Sequence, residues 1–420
     1  MKRVIKIKIA FLFLALLTGR LAFAQTTSSG QEATYNPIST AVPFLTISPD
    51  SRHSAMGDVG VATSPDANSE FHNPSQYAFV EGKFGLGLSY SPMMRQLVDD
   101  IYLAYLSGFY RIDSRQVIGS LLRYYSLGEI NITSQDHVKM ATTKPGEYAF
   151  DMSYSRKLSD HFSGGVTLRY IHSDLTGGIG GSQAGSESYN AGNAFSTDVS
   201  FYYTSGYERS PDEATAPKAF SAGINLSNIG SKISYDQGTN KEFLPANLRI
   251  GASYFIPLNE RNTLSWSVDV NKLMVPTPSY QTTTGTGGTL ITRASTNNTP
   301  VISSIFSSFT DAPGGMKEEL QECTVSTGIE YWFINRFALR GGYFNEANNK
   351  GDRKYFTTGI GVRMDVVSLD CSYAISVNRF SPVTNTIKFT LLFNIDSFSS
   401  RRRSPGNANP SDGIIPMAFR

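Results

Sequence analysis

Four of the five histidines have neighbours with which they could do chemistry. His161 and His172 bracket one short run and lie near Ser163 and Asp174 respectively. A histidine beside a serine, oriented by a third group, is how many hydrolases activate a nucleophile. Since no orienting partner is visible for either ring, interfacial or loop positions fit them better, and we expect no catalytic residue.

His53 and His72 lie in a stretch rich in Gly, Pro and Asp, where hydrogen-bonded structural roles fit better than metal binding. The sequence contains no G-x-S-x-G elbow, H-E-x-x-H helix, EF-hand loop or Walker loop. It therefore indicates neither a metal site nor a cofactor. The formal net charge of +2 gives no sign of a nucleic-acid partner.

Charged residues of both signs recur on what would be one face of successive strands. They could line a polar path, or they could pair with one another and fill an enclosed space; mixed signs favour pairing. The set is Asp151, Arg169, Asp198, Arg249, Asp269, Glu330, Arg340, Arg363, Asp370 and Lys388.

These charges need strands to position them, and the pattern from Glu147 to His172 supplies two. Large apolar residues alternate there with small or polar ones, which is typical of strands with different surroundings on their two faces. The apolar positions are Tyr148, Phe150, Met152 and Tyr154, followed by Phe162, Val166, Leu168 and Tyr170. Either a soluble core or lipid could contact that apolar face.

About 14 such strands are predicted, and the connections between them alternate between short and long. This parity is typical of an outer-membrane barrel with short periplasmic turns and long external loops, whereas a soluble sandwich has no reason to keep it. The chain also has no uninterrupted apolar run long enough for a membrane helix after its N-terminus. We therefore predict an all-β fold, a transmembrane antiparallel β-barrel with both termini periplasmic.

Four segments are predicted. Residues 1–24 are a signal peptide, because Lys2, Arg3, Lys6 and Lys8 precede an apolar run and Ala22-Phe23-Ala24 is an A-x-A cleavage pattern. Residues 25–82 have too many Gly, Pro and Asp for lipid-facing strands and form a compact segment in or under the barrel mouth, called the hatch below. Residues 83–396 are the barrel and 397–420 a periplasmic tail.

Two predicted external loops contain apolar residues. Pro92, Met93, Met94 and Leu97 form an apolar loop that would either bind a protein partner or fold inward over the lumen. The loop from Met274 to Glu322 includes an apolar stretch, Val301 to Phe309, and loops of this length are usually functional or disordered. Cys323 and Cys371 should lie too far apart for a disulfide.

Long runs of the sequence resemble the PorV family, also called LptO, of the type IX secretion system of Bacteroidetes. The runs include Ile47 to Arg52, Met56 to Ala67 and Asn73-Pro74-Ser75, and further matches continue through Leu226 to Tyr235 and Asp269 to Leu273. The resemblance implies a 14-stranded barrel similar to the FadL fatty-acid transporters. It also implies the hatch, for which we single out Phe44, Leu45, Arg52, Met56, Gly57, Asn73 and Pro74.

The resemblance further implies a function and partners. Members of this family bind the C-terminal signal domain of secreted cargo at the SprA or Sov translocon and shuttle it to the PorU sortase, which works with PorQ and PorZ to attach cargo to lipopolysaccharide. The alternative function is a FadL-like channel for hydrophobic small molecules, gated by Phe44 and Leu45. A third hypothesis, a lipid-modifying hydrolase, requires a histidine to meet a serine at the lipid-facing rim.

Overall fold

A computed structural model describes residues 35–95, 98, 100–133, 139–178, 190–206, 218–278, 280–285, 288–293, 298–377 and 386–394. Fourteen strands form one closed antiparallel barrel. They are β1 (Phe84–Pro92), β2 (Ile101–Arg111), β3 (Gln116–Leu127), β4 (Gly146–Lys157), β5 (Phe162–Asp174), β6 (Gly192–Thr204), β7 (Ala219–Gly230), β8 (Asn247–Pro257), β9 (Thr263–Leu273), β10 (Cys323–Phe333), β11 (Phe337–Asn345), β12 (Lys354–Arg363), β13 (Val367–Ser376) and β14 (Ile387–Asn394).

Each barrel strand pairs with its sequence neighbour, and β1 closes the ring by pairing with β14, so Leu88 lies opposite Leu391. The predicted number of strands is confirmed. One irregularity interrupts the wall: the β6–β7 register shifts between Thr197 and Val199. At this bulge Asn228 takes a left-handed conformation with φ of 60°.

In addition to the barrel strands, the described residues form two hairpins and several short helices. The hairpins pair Ile130–Thr133 with Lys139–Thr143 and Tyr280–Gly285 with Gly288–Arg293. The helices are Pro43–Thr46, Ser51–Ser54, Ser69–His72, Pro74–Phe79, Val301–Ser307 and Met316–Gln321. In this part of the chain, none of the helices has the length and apolar character needed to cross a membrane.

The outward face of the wall is apolar. The expected alternation holds along β5 and β6, where Leu168 and Phe195 are 69% and 67% exposed while Thr167 and Ser196 are buried. Aromatic side chains extend this apolar face around the barrel, as in the pair formed by Tyr102 and Tyr124, whose ring centroids are 6.1 Å apart. An exposed apolar band on a closed barrel fits lipid and not water.

Residues 36–82 of the hatch lie inside the barrel, where side chains from most strands bind them. Their backbone and side chains form hydrogen bonds to Ser107, Ser153, Thr167, Ser200, Asn225, Arg249, Asp269, Glu330, Thr357 and Thr390. Buried backbone groups of irregular segments need such partners, because no water reaches them. The inward faces of the strands therefore supply the hydrogen bonds that the hatch cannot make within itself.

The hatch residues singled out from the sequence are all buried. Phe44 and Leu45 pack in an apolar cluster with Leu103 and Tyr125 of the wall. Asn73 donates from its amide to the carbonyls of Val61 and Phe201, at 2.8 and 3.1 Å. The Pro74 carbonyl accepts a hydrogen bond of 2.7 Å from Ser155.

The backbone of the hatch approaches β11 closely at Met56 and Gly57. Gly57 has a left-handed φ of 72°, and a Cβ atom there would lie 2.7 Å from the Tyr343 carbonyl oxygen. Across the contact, a Cβ atom on Gly342 would lie 2.1 Å from the carbonyl carbon of Met56. Both positions require glycine, because the two backbones are in direct contact and neither can move to make room for a Cβ atom.

Gly341 and Gly342 of β11 offer a matched test of this contact. Gly342→Ala forces a methyl group into the hatch backbone, whereas a Cβ atom on Gly341 would have no neighbour nearer than 3.9 Å. We expect Gly342→Ala to lower the free energy of unfolding by about 1–3 kcal/mol and Gly341→Ala to change it little. Thermal unfolding of both purified variants in detergent measures the difference, and equal midpoints would contradict the close contact.

Candidate functional site

Arg52 joins the hatch to the wall through a chain of buried ion pairs. Its guanidinium binds Glu330 of β10 with two hydrogen bonds, at 3.0 and 2.9 Å, and Asp66 of the hatch at 2.8 Å. Glu330 in turn accepts from Arg340 at 2.7 Å, and Arg340 donates to Asp370 at 2.6 Å. Charges of alternating sign thus neutralise one another from the hatch to β13.

The ion pairs of a second buried network lie within the wall. Arg169 donates to Asp151 and to Asp198, with all four contacts at 2.8 or 2.9 Å, and Asp151 also accepts from Arg123 at 2.9 Å. Asp198 accepts in addition from the backbone of Asn228 at the bulge, at 2.8 Å. The pairing expected from the mixed signs is therefore confirmed for these inward-facing charges.

Asp50 is the centre of a third cluster, which the sequence did not point to. Its carboxylate binds the ring of His53 at 2.7 Å and the ring of His72 at 3.0 Å, and it caps a helix by accepting from the His53 backbone at 2.9 Å. Burial alone would raise the pKa of Asp50, but the two histidines more than offset it, and its pKa is held well below the ordinary value.

Hydrogen bonds occupy both nitrogens of the His53 ring. Its Nδ1 atom donates to Asp50, and its Nε2 atom lies 3.1 Å from Thr63 Oγ1, whose hydroxyl group is also 3.0 Å from the Gly60 carbonyl oxygen. Burial opposes a positive charge on His53, but Asp50 more than offsets burial and raises the pKa of His53.

The hydrogen bonds of the His72 ring show that it is neutral. Its Nδ1 accepts from Arg249, which can only donate, at 2.9 Å, and its Nε2 donates to Asp50. Burial and the nearby positive charge of His53 lower the pKa of His72. Asp50, His53 and His72 have ligand atoms close enough to hold a metal, yet hydrogen bonds already occupy all four ring nitrogens. The structural roles expected for these histidines fit this arrangement.

The other two histidines lie on β5 or just before it and bind no serine side chain through their rings within the described residues. The His161 ring donates to the Thr204 carbonyl at 3.0 Å, and the His172 ring binds the Asn193 amide oxygen at 2.8 Å. The histidine–serine pair that the hydrolase hypothesis requires does not form among these residues.

Glu70 is a buried carboxyl group of the hatch that forms no ion pair within the described residues. It accepts a hydrogen bond of 2.5 Å from Ser153. Burial raises the pKa of Glu70 to about 8, and the hydrogen bond from Ser153 offsets this only in part. The group is therefore protonated at neutral pH.

The apolar loop after β1 is predicted either to bind a partner or to fold inward, and at Met93 it folds inward. Met93 is only 3% exposed and packs in the cluster of Phe44, Leu45 and Leu103. Pro92 is buried as the last residue of β1, and Met94 is half-buried. Leu97 lies outside the described residues. A partner-binding role for this loop stays a prediction.

More strongly exposed apolar side chains lie on two helices of the long loop between β9 and β10. Ile302 and Phe306, one turn apart on Val301–Ser307, are 69% and 73% exposed. Met316 and Leu320, one turn apart on Met316–Gln321, are 67% and 68% exposed. We call these four residues the outer apolar surface. Their i, i+4 spacing was the available signal, but no helix was predicted in this loop.

Buried contacts fix both helices to the barrel rim. Ile305 packs against Phe243 and Met274, which leaves Ile302 and Phe306 on the opposite face. The second helix is fixed by charge: Lys272 binds Glu319 and Glu322 at 3.0 and 2.5 Å. Lys350 binds Glu318 and Glu322 at 2.6 and 3.0 Å. These contacts attach the two helices that carry the outer apolar surface to the barrel.

These features define a class of protein, a closed β-barrel of the outer membrane whose lumen holds an N-terminal hatch. Comparison with known families then identifies the family. The family described as "Type IX secretion system protein PorV" matches residues 29–280, and the chain belongs to it. It is therefore an outer-membrane protein of the type IX secretion system. A search of curated proteins found no match.

Several solved structures are similar to the chain at low sequence identity. The toluene transporter TodX of Pseudomonas putida is 13% identical over 86% of this chain and 99% of that one, with a TM-score of 0.46. The toluene transporter TbuX of Ralstonia pickettii is 14% identical over 82% and 96%, with a TM-score of 0.44. A FadL homologue of Pseudomonas aeruginosa is 12% identical over 86% and 100%, with a TM-score of 0.41.

Glu70 gives a pH-dependent prediction. Because its folded-state pKa of about 8 lies above the ordinary value of 4.5, the stability associated with its protonated form is complete below pH 4.5 and is lost as the pH rises toward 8. Glu70→Gln keeps the shape and removes the titration. We expect its gain in thermal stability over the parent to increase from pH 5 to pH 8; a gain independent of pH would contradict the assignment.

Arg52→Gln tests the link between hatch and wall. It leaves Asp66 without its ion-pair partner and removes one of two cations from Glu330. We expect a loss of about 3–5 kcal/mol of stability and a hatch that protease cleaves while the barrel resists. Lys83→Gln removes a charge next to the first strand and is the control. Unchanged protection of the hatch in Arg52→Gln would show that the ion pair does not hold it.

Proposed function

We propose that this protein binds the C-terminal signal domain of secreted cargo as it leaves the SprA or Sov translocon. It then carries the cargo to the PorU sortase, which works with PorQ and PorZ at the lipopolysaccharide surface. The mechanism is capture and lateral diffusion in the membrane, with no chemical step. Membership of the PorV family supports this function, and the outer apolar surface is the observation on which the mechanism depends.

The occupied lumen favours binding over conduction. The hatch forms hydrogen bonds with most strands, and the ion-pair chain from Asp66 to Asp370 crosses from hatch to wall. Opening a path would separate several buried charges at once, each at a cost of several kcal/mol. A protein that works through its outer surface needs no such opening.

The outer apolar surface has the properties of a protein-binding site. Its four side chains are apolar and largely exposed, although exposed apolar groups of this size are unfavourable in water. The acidic side chains of the second helix point to Lys272 and Lys350, so the exposed face is left apolar. By the parity of the connections, this loop lies on the extracellular side, where cargo emerges.

Phe306→Ser combined with Leu320→Ser tests the proposal, since both side chains are exposed and contribute little to the fold. We expect the barrel to insert normally while cargo retains its signal domain, because truncating exposed apolar anchors weakens binding by about 2 kcal/mol or more. Immunoblots of outer-membrane and medium fractions measure signal removal.

Ile112→Ser is the matched control for these substitutions. Ile112 is 48% exposed and lies in the short turn after β2, on the opposite rim. Its substitution removes a similar apolar group from the periplasmic side and should leave cargo maturation intact. Normal maturation in the Phe306/Leu320 variant would rule out the outer apolar surface as the capture site and return attention to Met94 and its loop.

A further inference from the structure

A cavity of about 520 Å³ lies in the lumen between the hatch and the outer rim of the barrel. Leu45, Ile47 and Ser48 of the hatch line it on one side. The outer halves of the strands and the β11–β12 loop line the rest, including Asn247, Thr324 and Lys350. This volume is within the range of pockets that hold small molecules.

Cations outnumber carboxylates in the lining. The cations are Arg123, Arg169, Arg249, Lys350, Arg353 and Lys388, and the carboxylates are Asp58, Asp198, Glu322 and Glu346. Arg123, Arg169, Lys350 and Arg353 each bind at least one carboxylate. The two remaining cations of the lining are Arg249 and Lys388, and the carboxylate of the lining that no cation binds among the described residues is Asp58.

Arg249 and Lys388 form no ion pair with any described residue. Arg249 donates to the Asn271 amide oxygen at 2.6 Å and to His72 at 2.9 Å, both neutral groups. Lys388 is buried and donates to the Ser48 carbonyl at 2.6 Å and the Ser54 hydroxyl at 2.8 Å. The nearby Asp58 is bound instead by Ser54 and Tyr355. Lys388 is buried and Arg249 is half-buried, and a cation removed from water without a carboxylate partner is costly unless an anion joins it.

The remaining polar groups of the lining are mostly amides and hydroxyls. The amides are Asn225, Asn228, Asn247 and Asn271. The Oδ1 atom of Asn225 is buried without a hydrogen-bond partner, and so is the Nε atom of Arg123. Amide side chains offer both donors and acceptors, which is what a ligand with several hydroxyl groups requires.

The apolar part of the lining is interrupted by charge. The guanidinium groups of Arg123 and Arg249 both lie 5.7 Å from the ring centroid of Phe71. A ring flanked by two cations does not offer a continuous apolar surface to an acyl chain. The arrangement of an aromatic ring, amides and cations suits a compact polar anion better than a fatty acid.

We propose that this cavity binds a small hydroxylated anion, an acidic monosaccharide or sugar phosphate. Arg249 and Lys388, which lie on strands six positions apart in the ring, would attract its carboxylate or phosphate group, and Asn225, Asn247 and Asn271 would bind its hydroxyl groups. This binding site is separate from the outer apolar surface and does not depend on the proposed cargo function.

Calorimetric titration of the full chain, purified in a detergent without a sugar headgroup, tests the proposal. The probes are galacturonate, glucose 6-phosphate, neutral galactose and dodecanoate. We expect both acidic sugars to bind, and galactose to bind at least about tenfold more weakly because it forms no charge-assisted hydrogen bond. No binding of either acidic sugar, equal binding of galactose, or dodecanoate as the one ligand bound would overturn the proposal.

Variants localise the binding. Arg249→Gln and Lys388→Gln should each weaken binding of the acidic sugars by about tenfold, while Lys83→Gln outside the cavity should leave it unchanged. Thermal unfolding checks that each variant is folded. If Arg249→Gln does not fold because its contact with His72 is lost, binding of the acidic sugars to Lys388→Gln and Asn271→Leu tests the site instead. Unchanged binding in the folded variants would place the acidic sugar elsewhere and overturn this site.

Discussion

Pairing of buried charge inside the lumen is the interaction on which the rest of the structure depends. The outward faces of the strands are mostly apolar and contact lipid, so the buried charged side chains of the wall point inward, where little water can solvate them. Arg169 satisfies Asp151 and Asp198 within the wall, but Glu330 needs Arg52 from the hatch as well as Arg340. Barrel and hatch therefore complete each other electrostatically.

The barrel could be predicted from the sequence because lipid imposes a simple rule on each strand. Residues such as Tyr148, Phe150 and Met152 must be apolar whatever they contact within the wall, so strict alternation survives and marks the strand. In β2 the rule is obscured, since Leu103, Tyr105 and Phe109 face inward and are also apolar. These inward-facing residues can be apolar because side chains of the hatch and of neighbouring strands cover them, and water does not.

The site could be predicted only in part, since its partners are distant in sequence. The sequence indicated Arg52 and the inward-facing charges as candidates. It could not show that Arg52 binds Glu330, which lies 278 positions away along the chain. Met93 shows the opposite difficulty: its apolar character fits exposure and burial equally well, and the position of Phe44 decided the outcome. The outer helices are short, and propensity alone does not hold a helix of six or seven residues together. Tertiary contacts at Ile305 and Lys272 stabilise these two helices.

The position of the hatch along the chain has a consequence for biogenesis. Translation makes this segment before any strand, yet its contacts reach the last strand, where the Ser51 backbone donates to Thr390. Thr390 also binds Ser89 of the first strand, so one hydroxyl joins hatch, first strand and last strand at the seam. During insertion, the already translocated hatch must therefore lie inside a sheet that has not yet closed into a barrel. Only when the final strand arrives can the seam and the filling of the ring be completed in a single event.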